Sequence, residues 1–201
     1  MGKPAPHSQR PLPAPPDADT LHQAALTYLG RYAATEAGLL RVLQRRIDRW
    51  AQQAQEAGAD RDAVAARVAD AAAAARGAVA RLAGAGAIND AAFAESKVRN
   101  LVRAGRSRRA IGAHLAAKGV ALETQRRVLP GEGGDDELLA ALVLARRRRI
   151  GPFRAGDPPD AQGRRRELGV LARAGFPQDV AQRALALDPE EAETRVNRLR
   201  R

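Results

Sequence analysis

Apolar positions recur at helical spacing along this chain, interrupted by glycine, proline and short polar stretches. Side chains three and four residues apart share one face of a 3.6-residue helix. Leu21, Ala25, Tyr28, Leu29 and Tyr32 make the first such stripe; Leu39, Leu43, Ile47 and Trp50 make the second. An alanine-rich helix is predicted over 60–83, with Val64, Val68, Val79 and Leu82 on one face. Its alanines at 71–75 leave room for a neighbouring helix. Phe93, Ala94, Val98, Leu101 and Val102 form the next stripe, and Leu138, Leu139, Leu142 and Val143 a later one. Further helices are predicted over 107–118, 122–129, 164–174 and 177–187, with a charged one from Asp188. No stretch alternates with period two, so no sheet is expected.

The punctuation agrees with this pattern. Thr20-Leu21-His22-Gln23 has the form of a capping box, which starts the order at Thr20. Asn89 or Asp90, Ser107 and Asp188 suit helix starts, and Pro189 suits a first helical position. Gly84, Gly86, Gly105, Gly119, Gly175 and the pair Gly151-Pro152 suit helix ends. Asp135, Asp136 and Glu137 open one helix and Arg146, Arg147, Arg148 and Arg149 close it, complementing the helix dipole at both ends.

Two stretches are copies of each other. Displaced by 56 positions, Arg108 and Arg109 fall on Arg164 and Arg165, Leu115 on Leu171, Gly119 on Gly175, Val120 on Phe176 and Leu129 on Leu185. A fainter copy sets Thr35 on Ser107, Leu39 on Ile111, Leu43 on Leu115 and Arg46 on Lys118. Self-similarity at such a period means stacked helical units that present a long binding surface. The expected fold is all-α: an elongated array of three tandem three-helix repeats behind a disordered tail. Its expected parts are a Pro-rich tail over 1–19, repeats over 20–87, 88–130 and 131–187, and a charged C-terminal helix over 188–201.

Composition narrows the function. Of 201 residues, 45% are hydrophobic, but only 3% are aromatic, so the core is built from Ala, Leu and Val. The absence of cysteine excludes disulfides and thiolate chemistry and fits a reducing, cytoplasmic setting. No apolar run approaches the roughly 20 residues that span a bilayer, so no membrane partner is expected. Of the three histidines, His7 lies in the tail, His22 at a helix start, and His114 beside core Leu115. No metal site, cofactor site or catalytic constellation emerges; Gly131-Glu132-Gly133-Gly134 lacks the Lys and Ser/Thr of a phosphate loop.

What remains is charge. The formal net charge is +11. Residues 97–127 hold nine basic side chains against Glu123 alone, and residues 146–173 hold nine against Asp157, Asp160 and Glu167. Such concentration points to a polyanionic partner, nucleic acid or an acidic protein face; an arginine-favouring genome is the bland alternative. Arg103, Arg106, Arg108 and Arg109 surround the Gly105 turn, Arg164, Arg165 and Arg166 hold the matching place in the next unit, and Arg146 and Arg147 close the helix between. These nine are the candidate contacts, since guanidinium binds carboxylate or phosphate bidentately. The scarcity of aromatics argues against a dedicated single-strand reader.

The motifs, in order, resemble a known family. Ile88-Asn89-Asp90-Ala91-Ala92-Phe93-Ala94-Glu95 is similar to the "L-D-D-x-x-F-A" opening of the central repeat of RecX regulatory proteins. Ser107-Arg108-Arg109-Ala110-Ile111 and Leu115-Ala116-Ala117-Lys118-Gly119-Val120 resemble that repeat's second helix and its Lys-Gly-hydrophobic end. Gly151-Pro152-Phe153-Arg154 and Leu171-Ala172-Arg173-Ala174-Gly175-Phe176 resemble the last repeat of alphaproteobacterial members. The resemblance covers about 20–187. Asn89 departs from the usual Asp, and Arg45-Arg46-Ile47 stands where the first repeat would carry its Lys-Gly end. A non-enzymatic monomer is expected, and the resemblance implies that it binds the RecA filament and the single-stranded DNA within it, with free DNA as a further partner. It implies inhibition of RecA's ATPase, strand exchange and co-protease activities, and so modulation of recombination and the SOS response. The alternative from the residues alone is a general DNA-binding architectural protein.

Overall fold

The computed structural model describes residues 14–198, and every regular element among them is helical. The chain forms two compact units that divide after Asn89. Residues 1–13 of the expected Pro-rich tail and 199–201 of the expected C-terminal helix lie outside the described residues.

The first unit holds α1 (Ala18–Leu29), α2 (Glu36–Glu56) and α3 (Arg61–Gly84). α1 starts earlier than the capping box predicts. Asp17, not Thr20, is the N-cap, and its side chain accepts from the Thr20 amide at 2.8 Å. A carboxylate there answers both the open amide and the dipole, and holds the Asp17 carboxyl below its usual pKa through those hydrogen bonds. Ala18 and Asp19, read as tail, are thus the first helical residues. Thr35 caps α2 by accepting from the Gly38 amide at 2.9 Å, and Asp60 caps α3 by accepting from the Ala63 amide at 2.9 Å.

The predicted stripes supply the core. Leu21, Ala25, Leu39, Leu43 and Ile47 are buried against Ala71, Ala75, Val79 and Leu82. Alanine at 71 and 75 lets α3 close onto α2 without large side chains between them. Trp50, Ala54 and Val64 make a smaller cluster near the α2–α3 turn. Tyr32, placed by its spacing on the α1 stripe, is instead 57% exposed, because the helix ends at Leu29 and leaves it on the turn.

The second unit contains α4 (Asp90–Arg103), α5 (Arg108–Ala117), α6 (Leu122–Val128), α7 (Asp135–Arg148), α8 (Ala161–Arg173), α9 (Gln178–Ala186) and α10 (Pro189–Arg198), with a 3₁₀ turn over Gly151–Phe153. The helices of the second and third expected repeats share one core. Ala94, Val98, Ile111 and Leu115 meet Leu142, Leu171, Phe176 and Val180 in it, and Ala192 and Val196 bring α10 in as well. α7 sits at the centre. Its residues from Glu137 to Ala145 are buried except half-buried Leu139, so the helix is enclosed on nearly all sides rather than along one face.

The copies at α5 and α8 end alike. Val120 and Phe176 each donate a main-chain hydrogen bond to the carbonyl of the aligned leucine, Leu115 and Leu171. Each hydrophobic residue then folds back beneath its helix. They begin differently: Ser107 caps α5, whereas Asp160 caps α8 three positions ahead of the aligned Gly163.

Candidate functional site

The second unit carries a cleft of about 830 Å³ whose lining includes Arg106, Arg109, Arg147, Arg148, Arg173 and His114, and no acidic side chain. Three helices converge to make it: the start of α5, the end of α7 and the end of α8.

Two glycine turns set this convergence. Gly105, at φ +72°, turns α4 into α5 pressed against α7. A Cβ there would lie 3.0 Å from the Leu144 amide nitrogen and 3.1 Å from Val143 Cγ1. Only glycine meets both the left-handed backbone and the approach. Gly175, at φ +89°, ends α8, and a Cβ there would lie 2.9 Å from Ser107 Oγ. Ser107 joins the two turns. Its buried hydroxyl donates to the Ala174 carbonyl at 2.7 Å and accepts from the Ala110 amide at 3.3 Å. Arg147 closes the third side, with Nη1 donating to the Ala104 carbonyl at 3.1 Å. The arginines around these turns therefore project from a braced frame.

The nine sequence candidates divide. Arg106, Arg109 and Arg147 line the cleft. Arg103 is exposed at the end of α4, outside the lining. Arg108, beside Arg109 in sequence, turns to the opposite side. Its Nε donates to the Pro130 carbonyl at 2.7 Å and its Nη1 to Glu132 at 3.0 Å, tying down the loop before α7. Buried Glu137 reinforces that tie by accepting from the Arg108 and Gly133 amides, each at 3.2 Å. Arg146 reaches α10, at 3.3 Å from Asn197 Oδ1 and 3.7 Å from Glu193. Arg164 lines a separate hollow beside the ion pair of Arg154 and Glu167. Arg165 and Arg166 are exposed on α8, also outside the cleft. The repeated arginine pair thus aligns in sequence but not in setting, because α8 starts a turn early and offers its end, not its start, to the cleft.

Three cleft residues escaped the sequence reading: Arg148, Arg173 and His114. For Arg173 the one available signal was its place two residues before the helix-ending Gly175, but the same rule picks Arg103, which lies outside the cleft. His114, read as a boundary residue, lines the cleft. Burial, then the nearby Lys118, Lys97 and Arg106, push its pKa below the ordinary value of 6.5. Arg106, Arg109, Arg148 and Arg173 take part in none of the ion pairs found among the described residues. A concave, uncompensated row of guanidinium groups can take phosphate or carboxylate. Among the described residues no cluster of His, Asp or Glu is arranged to hold a metal ion.

Comparison with known proteins bears on the same region. The family model "RecX, second three-helix domain" matches residues 89–129, which hold α4, α5 and α6. A Regulatory protein RecX from Myxococcus xanthus is 38% identical over 170 residues, spanning 84% of this chain and 86% of that protein. One from Agrobacterium fabrum is 37% identical over 107 residues, 53% of this chain and 56% of its own length. One from Mycobacterium avium is 39% identical over 104 residues, 50% of this chain and 58% of its own.

Proposed function

This chain belongs to the RecX family of regulatory proteins, and we propose that it acts on the RecA–single-stranded-DNA filament through the arginine cleft of its second unit. Bound there, it lowers RecA's ATP hydrolysis, strand exchange and co-protease activity and so restrains recombination and the SOS response. It works as a cytoplasmic monomer and as a binder rather than a catalyst.

The observation that carries this reading is the convergence of five arginines with no acidic neighbour on a braced, concave frame. A filament offers both kinds of anion the cleft can take, strand phosphates and acidic side chains. No helix among the described residues is long and apolar enough to cross a membrane. Titration of the protein into RecA's DNA-dependent ATPase is expected to inhibit at micromolar concentration; unchanged hydrolysis would remove the proposal. Tight duplex binding without RecA, falling steeply with salt through counterion release, would instead support the general DNA-binding alternative.

A further inference from the structure

The first unit gathers both tyrosines of the chain and a row of arginines in one groove between α1 and α2, and we infer that this groove binds single-stranded nucleic acid. Unpaired bases stack on the tyrosine rings and strand phosphates lie on the arginines. The site is separate from the cleft of the second unit and does not rest on the function proposed for it.

The backbone sets the platform. After α1 ends, the Tyr32 amide still donates to the Tyr28 carbonyl at 2.9 Å, which keeps the chain wound for one more turn. The two rings then sit 5.1 Å apart at 42°. Tyr28 is half-buried and braces Tyr32, which remains 57% exposed. An aromatic ring held in place with most of its surface in water is suited to receive another flat ring.

The charge beside it has the right sign and spacing. Arg45, Arg46 and Arg49 follow one another along α2, and Arg31 faces them from the turn after α1; no acidic side chain lines the groove. All four are exposed, and none pairs with an acid among the described residues. Arg45 and Arg49 lie one helical turn apart, about 6 Å along the axis, comparable to neighbouring phosphates of an extended strand. An acidic protein would use the arginines but has no need of the ring pair. Duplex DNA would offer phosphates but keeps its bases stacked. The combination therefore selects a single strand, although the chain's few aromatics argued against a strand reader: the two that matter are adjacent in space.

The test uses the full chain carrying Arg109→Glu and Arg173→Glu, which reverses two of the five arginines of the second unit's cleft. A 15-nucleotide oligothymidylate with 5-iododeoxyuridine substitutions is irradiated with it, and the crosslinked peptide is mapped by mass spectrometry. Crosslinking at Tyr32 or Tyr28 is expected; crosslinks confined to other residues, or none, overturn the inference. In the same background Tyr32→Ala should weaken oligothymidylate binding by on the order of tenfold, while Tyr32→Phe, which keeps the ring, stays within about twofold. Arg45→Gln with Arg49→Gln should make the salt dependence shallower. If poly-glutamate competes as well as the strand and Tyr32→Ala changes nothing, the groove is an acidic-protein site and the inference fails.

Discussion

Gly105 and Gly84 form a matched pair. Both stand at helix ends and read alike in sequence, yet a Cβ at Gly84 meets nothing within 4 Å and one at Gly105 meets α7 at 3.0 Å from a left-handed backbone. Gly105→Ala is expected to cost about 2 kcal/mol or more in urea unfolding, and Gly84→Ala to be neutral or to stabilise by about 0.5 kcal/mol. Equal effects would mean that the Gly105 turn does not press on α7 as described. Ser107→Ala should cost about 1–3 kcal/mol, because it removes a helix cap and also leaves the carbonyl of half-buried Ala174 without its hydroxyl donor. Residue-scale features differ in how well sequence announces them. A cap announces itself by residue type and place, as Ser107 and Asp188 did. Competing caps do not: Thr20 lost to Asp17 because a carboxylate three residues earlier accepts from the Thr20 amide and so starts the helix at Ala18. A side chain's direction is least visible of all, since nothing in the letters distinguishes Arg108, bent back to Pro130, from Arg109, turned into the cleft.

At the scale of elements, the cleft belongs to three helix ends and its charge depends on pH through His114. The folded chain holds this imidazole below 6.5, so as pH falls the unfolded chain takes up the proton first. The contribution of neutral His114 to stability is therefore whole above about pH 6.5 and is lost as pH falls below it. Anion binding runs the other way. Protonated His114 joins Arg106, Arg109, Arg147, Arg148 and Arg173, and a bound phosphate favours that proton. Affinity for an anionic strand should rise as pH falls from 7.5 to 5.5, and His114→Gln should flatten the rise; an equal rise in that variant would assign the proton elsewhere. The elements themselves were largely legible, because period 3.6 and the glycine stops leave few alternatives. Their mutual placement was not. The 56-residue repeat predicts equal surroundings for Arg108 and Arg164, and the early start of α8 breaks that equality. The enclosure of α7 was hidden too, because its alanines count as weakly apolar until neighbours close over them.

For the whole molecule, charge and repetition indicated a binder of anions, and the two units supply distinct versions of that chemistry: arginines on a braced concave frame in one, arginines beside a ring pair in the other. The decisive comparison is between cations inside and outside the cleft. Arg109→Glu/Arg173→Glu and Arg165→Glu/Arg166→Glu carry the same change in net charge, and all four side chains are exposed. Both should fold as the unaltered chain does, which circular dichroism and thermal melting establish first. The measurement is inhibition of RecA's DNA-dependent ATPase by each. The cleft variant should need at least tenfold more protein for half-inhibition, while the α8 variant should stay within about threefold of the unaltered chain, the difference reflecting at least about 1.4 kcal/mol of lost binding. Equal inhibition by the two variants, or greater loss in the α8 variant, would contradict the assignment of the cleft as the working surface.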